Sequence, residues 1–458
     1  MSETENKNGA SKNEEEKKTP PGQSEGEPLL TSAFSRMIEL GALAGKVGVS
    51  LLAEKTASLF RSETSAKENL AENLIKNAWR VAETLGRLRG AAMKVGQMLS
   101  LHEGALPKEV MEVLSLLQKD APSIPFSDIM AQVRKNIADP SIFASIEEKA
   151  YAAASIGQVH RATLRDGRQV VLKVQYPGID EIIKADLKNL KGVLGSIVAM
   201  ISRTNMDPIW EEMEDRLSEE LDYFREASYM KKMAELYRDS PDIIIPEVIE
   251  EASGRQVLTT LYTPGISPAE AVSGKYDQAL KNRWGIVLFE WVLSCIFRHG
   301  ILHADPNIAN FSFLEDGRVN VYDFGCMKEI PESIVSGYRK IAGAGLIGEE
   351  GVHQIPEILR NMGIHRAGGK AIDLEMIRPY FELLRQPFGE TDYAFGETRI
   401  YEKLMELGRT YWYEALDIQF PKHIVFIDRT IGGHFGNLNR LKASARWRDI
   451  LRKHVFSD

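Results

Sequence analysis

Three polar side chains lie close together in the stretch GILHADPNIANF, at residues 300–311, namely His303, Asp305 and Asn310. A further carboxylate, Asp323, follows a short apolar run and precedes a Phe-Gly pair in VNVYDFG. Phosphoryl transfer requires a base or orienting group near the acceptor, together with carboxylate and amide oxygens that hold Mg²⁺ against the phosphates. We therefore predict that Asp305 is catalytic and that Asn310 and Asp323 are metal ligands. An ordinary polar loop is the alternative interpretation.

The phosphates of a nucleotide also need a cation, and Lys173 in QVVLKVQ is the candidate. Apolar and polar residues alternate around it, as they do for a lysine on the inner face of a strand. A carboxylate must hold such an ammonium in place, and the acid-rich stretch EDRLSEELDYFREASYM, which we interpret as one helix, follows it. That helix would place Asp222 and Glu226 on one face. Taken alone, a lysine on a strand is more often a solvent-exposed edge residue, and an acid-rich helix is more often a charged helix on the protein surface.

The elements that must position these side chains follow one another in a definite order. A hairpin signal at Asp166-Gly167 joins two strands within residues 151–175, and a helical pattern runs from about residue 178 to 238. Two more strands turn at Gly254, and the chain is mostly helical from about residue 275 onward. This order of parts is that of a two-lobed kinase.

Composition limits the classes of function. A chain of 458 residues with 43% hydrophobic residues is long enough for two lobes. Its 57 basic residues against 65 acidic ones argue against nucleic-acid binding. Cys295 and Cys326 show no spacing typical of a zinc site or a disulfide framework, which favours a reducing compartment.

The N-terminal part is poor in targeting signals. Residues 1–30 are rich in charged and small residues, which predicts a disordered tail, and they match neither a signal peptide nor a transit peptide. The most apolar stretch, residues 37–55, is interrupted by Glu39 and Lys46, so a spanning helix is not expected. We interpret it as a helix packed on its own domain or, alternatively, lying on a membrane surface. A cytoplasmic protein, with peripheral membrane contact left open, is the expectation.

Five motifs in sequence order, MKVGQMLS, YAAASIGQVHRA, EELDYFREA, LHADPNIAN and YDFG, closely resemble the UbiB or AarF-domain (ABC1-type) family of atypical protein-kinase-like proteins. The resemblance covers roughly residues 35–450. It implies an α+β, two-lobed kinase-like fold with a small antiparallel sheet, a helical C-lobe and an extra helical extension over the active site. The implied domains are a tail at 1–30, the extension at 31–140, the N-lobe at 141–265 and the C-lobe at 266–458.

The resemblance also implies roles for individual residues. Glu226 would pair with Lys173. The extra helix would carry Lys94, Gly96 and Gln97 into the site where a protein substrate enters a typical kinase, which speaks against ordinary protein kinase activity. An acidic Glu-x-Asp motif would match Glu220 and Asp222. An alanine-rich nucleotide loop would replace the glycine-rich one, with residues Ala152, Ala153, Ala154, Ser155, Ile156, Gly157 and Gln158. The implied cofactors are ATP or ADP, and Mg²⁺.

One departure from the family pattern leaves two classes of function open. The family usually reads His-Ala-Asp-Pro-His-Pro-Gly-Asn, whereas this chain has Asn307, Ile308 and Ala309 before Asn310. Loss of the proline and the glycine removes a fixed φ and a flexible position, which would displace Asn310 and weaken turnover. The chain is therefore expected to be an ATPase or a phosphotransferase for a small molecule or lipid, in isoprenoid quinone biosynthesis or membrane lipid handling. The alternative is a nucleotide-gated scaffold that organises quinone-biosynthesis proteins with little turnover.

Overall fold

The computed structural model describes residues 124–154, 156–184, 187–188, 191, 207–410 and 418–456. Several predicted features lie outside these ranges, and they remain predictions: the N-terminal tail, the amphipathic stretch, most of the helical extension, and Lys94, Gly96, Gln97 and Ser155.

A five-stranded antiparallel sheet forms the first part of the fold. Strands β1 and β2 pair with opposite ends of β3, β3 pairs with β4, and β4 pairs with β6. The predicted Asp-Gly turn joins β3 and β4, and Gly167 adopts a φ of +91° there. The strands are β1 (Phe143–Ile146), β2 (Ala152–Ala154), β3 (Gly157–Leu164), β4 (Gln169–Gln175) and β6 (Val257–Leu261).

The two faces of this sheet differ in their contacts. Helix α1 (Phe126–Asn136) packs against one face, where its buried Ile129 and Val133 join Leu172 and Val174 in a hydrophobic core. Side chains alternate along a strand, so Lys173 lies on the opposite face. Helix α1 belongs to the core of the sheet although it precedes the domain boundary at residue 141, and that boundary remains a prediction.

The acid-rich stretch forms two helices instead of the single helix that we expected. Helix α2 (Asp207–Glu220) ends before Asp222, and helix α3 (Tyr223–Leu236) begins after it. The Asp222 carboxylate caps α3 by accepting hydrogen bonds from the backbone N–H groups of Phe224 and Arg225. Asp222 therefore caps the helix, and of these two carboxylates Glu226 is the one that belongs to the helix itself.

The second part of the fold is mainly helical. Helix α5 (Gln278–Phe297) begins at the capping carboxylate of Asp277 and is apolar on nearly all sides, so it runs through the main core. The other helices are α4 (Pro268–Ala271), α6 (Glu332–Ile347), α7 (Glu349–Val352), α8 (Ile355–Asn361), α9 (Leu374–Arg385), α10 (Ile400–Thr410), α11 (Lys422–Leu441) and α12 (Trp447–Val455).

Short strands connect these helices. Strand β5 pairs with β9, β9 pairs with β8, and β7 pairs with β10, so the segments flanking the predicted catalytic residues are tied into small sheets. Two further pairs, β11 with β13 and β12 with β14, lie later in the chain. The strands are β5 (Ile243–Ile244), β7 (Ile301–His303), β8 (Phe311–Phe313), β9 (Val319–Val321), β10 (Met327–Glu329), β11 (His365–Arg366), β12 (Tyr393–Ala394), β13 (Ile418–Gln419) and β14 (Ser444–Ala445).

The architecture confirms the predicted α+β fold, with a small antiparallel sheet followed by a helical region. Cys295 is buried and Cys326 is half-buried, and the two do not form a disulfide. None of the helices in the described ranges combines the length and the apolar character needed to cross a bilayer.

Candidate functional site

The centre of the candidate site is an ion cluster around Lys173. Its Nζ atom lies 2.9 and 3.0 Å from the two carboxylate oxygens of Glu226 and 3.0 Å from Oδ2 of Asp323. Strand β4 supplies the lysine, helix α3 the glutamate, and the segment after β9 the aspartate. The predicted pairing of Lys173 with Glu226 is therefore present in the structure, and the lysine joins the sheet to the helical region.

Burial and charge set the protonation of this cluster. Burial alone would lower the pKa of Lys173, but the carboxylates of Asp323 and Glu226 outweigh it and hold this pKa well above its ordinary value. Burial is also the largest influence on Glu226, which is 2% exposed, and raises its pKa to about 7 against the attraction of Lys173. For Asp323, burial is opposed by Lys173 and the N–H of Gly325, which together lower its pKa. Asp323 is thus held as an anion.

The predicted catalytic loop brings Asp305 and Asn310 into direct contact. The Asn310 side-chain amide donates to Oδ2 of Asp305 at 2.9 Å, and the backbone N–H of Asn307 donates to Oδ1 at 3.2 Å. The loop closes in a short 3-10 turn at Ile308–Asn310, where Ile308 is buried in the main core. We expected that Asn307, Ile308 and Ala309 would displace Asn310. In the structure its side chain remains hydrogen-bonded to Asp305.

Backbone contacts connect the loop to the ion cluster. His303 lies with Nε2 at 2.6 Å from the carbonyl oxygen of Asp323, so this nitrogen is the donor. The N–H of Tyr322 donates to the carbonyl of Asn310 at 3.0 Å, beside the pairing of β8 and β9. His303, just before the catalytic loop, is thereby tied to the segment that carries Asp323. Lys173, Glu226 and Asp323 thus form one group, Asp305 and Asn310 a second, and the backbone holds the two together.

The predicted nucleotide loop forms a hairpin whose residues face in different directions. Val159 lies directly opposite Lys173 in the pairing of β3 with β4, so these two side chains share a face. The Gln158 side chain belongs to the other face, where its Oε1 contacts the buried His160 at 3.1 Å. Gly157 approaches β4 so closely that a Cβ would lie 2.1 Å from the carbonyl oxygen of Val174. The Gln158 side chain therefore lies on the face opposite to Lys173.

The other predicted loop residues differ in exposure. Ala152 and Ala153 are exposed, Ala154 is half-buried, and Ile156 is buried with its carbonyl accepting from the N–H of Tyr176. Small exposed side chains before the turn leave the backbone of this hairpin accessible. Their predicted role toward a nucleotide remains a proposal.

A second ion network was missed from the sequence. Lys328 contacts both oxygens of Glu219 at 2.8 and 2.6 Å, and Arg225 lies 3.1 Å from the same carboxylate. Arg225 also donates to the carbonyl of Met327 at 3.1 Å. This network ties the segment after Asp323 to helices α2 and α3. Its sequence signal was the acidic stretch itself, in which we singled out Glu220 and Asp222 instead of Glu219.

The residues present fit a magnesium ion with a nucleotide. Two carboxylates, Glu226 and Asp323, contact the single ammonium of Lys173, and a third, Asp305, lies in the neighbouring loop. A cation would compensate for the excess negative charge. Since the amide nitrogen of Asn310 donates to Asp305, its oxygen is the atom left to bind a cation. In the described ranges, no group of three His, Cys, Asp or Glu residues could hold a metal. Mg²⁺ does not require such a group, because it is usually held by one or two carboxylates plus substrate phosphates.

Comparison with known proteins decides the class. The ABC1 atypical kinase-like domain family matches residues 116–350. The chain belongs to this family. A Dictyostelium discoideum ABC1-type relative named "Probable serine/threonine-protein kinase abkA" is 29% identical over 451 residues, which are 92% of this chain and 79% of that protein. The rat "Atypical kinase COQ8B, mitochondrial" is 30% identical over 377 residues, 80% of this chain and 70% of the relative.

Other ABC1-type relatives are longer. The Caenorhabditis elegans "Atypical kinase coq-8, mitochondrial" is 33% identical over 342 residues, 71% of this chain but 45% of that protein, so the chain spans less than half of this relative. A solved Mycobacterium tuberculosis structure, Rv3197 in complex with erythromycin, is 25% identical with a TM-score of 0.60 and covers 86% of this chain and 98% of that one. Membership confirms the kinase-like fold and class.

Proposed function

We propose that this ABC1-type chain binds ATP or ADP with Mg²⁺ next to Lys173 and acts as an ATPase or a phosphotransferase for a small molecule or lipid. The single observation that carries the proposal is that Lys173 contacts both Glu226 and Asp323, which lie 53 and 150 residues away in the chain. Such a lysine, fixed between two carboxylates, is suited to bind phosphates.

Each residue has a separate task in this proposal. Glu226 keeps Lys173 in place when the lysine turns from Asp323 to the phosphates. Asp323 and the amide oxygen of Asn310 would hold Mg²⁺, which supplies neutralisation of the phosphate charge when it is bound. Asp305 would orient or deprotonate the acceptor.

The process that this activity serves is also part of the proposal. Support of isoprenoid quinone biosynthesis, including ubiquinone, or of membrane lipid homeostasis rests on the family resemblance, and several relatives carry COQ8 names. Isoprenoid lipids, quinone-biosynthesis proteins and a membrane surface contacted by residues 37–55 are the proposed partners. The names of several relatives place those proteins in mitochondria or chloroplasts, so an organelle competes with the cytoplasm as the proposed location.

A nucleotide-gated scaffold is the second candidate, and one contact favours it. Both carboxylate oxygens of Asp305 already accept hydrogen bonds, one from Asn307 and one from Asn310. These two contacts occupy one lone pair on each oxygen and hold Asp305 toward its own loop, which leaves fewer positions from which it can take the proton of an acceptor. Such a site would bind nucleotide and change conformation while turning over little.

Phosphate release and nucleotide affinity, measured together, test the proposal. The native chain is compared with Asp323→Asn, in ATP with and without Mg²⁺, and with and without anionic lipid vesicles. Asp316→Asn is the matched control, because Asp316 is an exposed carboxylate in the turn between β8 and β9 that pairs with Arg318. We expect Mg²⁺-dependent binding and phosphate release in the native chain and in the control, and loss of both in Asp323→Asn.

The outcomes separate the two candidates. Mg²⁺-dependent binding in the native chain with phosphate release no higher than in Asp323→Asn would eliminate the enzyme and support the scaffold. Equal nucleotide binding by all three proteins, with no effect of Mg²⁺, would overturn both candidates.

A further inference from the structure

Helix α11 contacts the catalytic loop at Pro306, the residue after Asp305. The Asn437 side-chain amide donates a hydrogen bond to the carbonyl oxygen of Pro306 at 2.7 Å. One turn earlier, Gly433 lies against the proline ring so closely that a Cβ there would be 2.3 Å from Cγ of Pro306 and 2.7 Å from its Cβ. Because residues four apart lie on one face of a helix, Gly433 and Asn437 both contact Pro306.

The contacts inside the loop are all local. The N–H of Asn307 and the side-chain amide of Asn310 donate to Asp305, and the N–H of Ala309 donates to the Asn307 side chain. These contacts set the internal shape of the loop but move with it, so they do not fix its position in the molecule. Ile308 and Ala309 have neither a fixed φ nor the freedom of glycine, so they do not select one backbone shape. Contacts from outside the loop must contribute to its position.

Helix α11 is a suitable reference for that position because it is anchored elsewhere. Phe435 and Leu438 are buried in the main core. On another side of the helix, the amide of Asn439 donates to the carbonyls of Phe395 and Thr398 at 2.7 and 3.2 Å. Asn437 itself is 2% exposed. Because this helix is fixed by other parts of the core, its contacts with Pro306 fix the position of that proline.

We propose that Gly433 and Asn437 are positioning residues for the candidate site. Gly433 leaves room for the ring of Pro306, and Asn437 fixes the carbonyl oxygen of this proline. The two contacts set the position of the loop, and with it the position of Asp305 and Asn310 relative to Asp323. The proposal rests on the proposed Mg²⁺-nucleotide binding for its functional consequence. The position of the loop itself can be measured without any nucleotide.

Three glycines of the same helix provide the test. Gly433→Ala places a methyl group against Pro306, whereas a Cβ at Gly432 or at Gly436 has no atom within 4 Å. Gly432→Ala and Gly436→Ala are therefore matched controls, because they add the same methyl group to the same helix without a clash. Amide hydrogen exchange at residues 304–311, measured without nucleotide, reports the loop. Nucleotide affinity with and without Mg²⁺ reports the site.

Variants of Asn437 give an independent test if Gly433→Ala does not fold. Asn437→Asp keeps the size of the side chain but sets a carboxylate oxygen against the carbonyl oxygen of Pro306, and the free energy of unfolding is measured beside the two readouts because this side chain is buried. Asn439→Asp is the control on the other side of the helix, where an exposed amide also donates to backbone carbonyls.

We expect Gly433→Ala and Asn437→Asp to speed exchange at 304–311 and to weaken nucleotide binding in Mg²⁺ at least about tenfold, as loss of a supporting contact does in metal sites. Binding without Mg²⁺ should change less than about twofold, because the lysine cluster is untouched. The proposal is overturned if these two variants match their controls in both readouts, or if only global stability changes. If Mg²⁺ has no effect on nucleotide affinity in the native chain, the proposed function is refuted. Amide hydrogen exchange at residues 304–311 would still test the positioning role.

Discussion

The ion cluster and the catalytic loop use different physical means to bring groups together. Lys173, Glu226 and Asp323 come from three distant elements, and charge attraction in a mostly buried place holds them. Asp305 and Asn310 come from one short loop, in which local hydrogen bonds and packing from below fix the shape. The cluster is therefore sensitive to charge and pH, whereas the loop is sensitive to volume.

This difference indicates which substitutions each region tolerates. Removing a charge from the cluster leaves a buried carboxylate without its partner, and this lowers the stability of the fold because the protein interior has a low dielectric constant. A change of size under the loop leaves the charges intact but moves Asp305 and Asn310. The predictions below separate these two kinds of dependence.

The largest effect is expected from Lys173→Met. Removing the ammonium leaves Glu226 and Asp323 facing each other, and we expect a loss of about 3 kcal/mol in the free energy of unfolding. Glu226 can relieve part of this by binding a proton, since its pKa already lies near 7 in the native chain against an ordinary 4.5. A folded state that keeps a proton longer than the unfolded state loses stability as pH rises.

Urea denaturation at about pH 5 and about pH 8 measures this dependence. The loss in Lys173→Met should be larger at the higher pH. Lys231→Met removes an exposed lysine paired with Glu250 and serves as control. Equal losses at both pH values would contradict a buried, uncompensated Glu226.

The loop should respond to volume instead of charge. Ile308→Ala removes a buried side chain beneath the loop, with an expected loss of about 2–3 kcal/mol. Ile243→Ala, in β5, removes a similarly buried side chain from the same core. Both variants should lose stability in denaturation, but only Ile308→Ala should also weaken Mg²⁺-dependent nucleotide affinity. A parallel effect of both on affinity would mean that Ile308 acts through global stability alone.

The same contrast explains how much could be predicted from the sequence. The strands, their Asp-Gly turns and the cluster residues were predictable because each gives a local pattern or a family motif. Lys173 and Glu226 were predicted to pair, and they do. The direct contact of Lys173 with Asp323 was not anticipated, because each was assigned to a different part of a bound nucleotide.

Other features could not be predicted for physical reasons. The break at Asp222 was missed because the periodic pattern of apolar and acidic residues continues through it, and only the capping geometry interrupts the helix. The contact of Asn437 with Pro306 joins residues 131 apart in the chain. The stretch RTIGGHFGNLNRL belongs to helix α11, but no local pattern indicates which part of the core a helix face contacts.

A second pH dependence should come from a buried histidine of helix α11, which is not part of the loop. Burial lowers the pKa of His434 to about 3 from an ordinary 6.5, and nearby His303 adds to this. The folded state thus binds fewer protons than the unfolded state below pH 6.5, so stability falls as pH falls through that window. Between pH 6.5 and about pH 5 we expect a contribution of about 2 kcal/mol. His434→Leu should flatten the curve of unfolding free energy against pH by that amount. Parallel curves would contradict a buried neutral imidazole.

The smallest effect is expected where charges are partly solvated. Lys328 and Glu219 are 20% and 22% exposed, so Lys328→Met should cost only about 1 kcal/mol in denaturation. Lys232→Met removes the neighbouring pair with Glu329, which is 47% and 69% exposed, and should cost close to nothing. Because Lys328 ties the segment after Asp323 to helix α2, its loss should also speed amide exchange at residues 324–329, which the control should leave unchanged. If the two variants behave alike in exchange, the pair of Lys328 with Glu219 is only a surface ion pair, and the ion cluster and Arg225 hold this segment to the acidic helices.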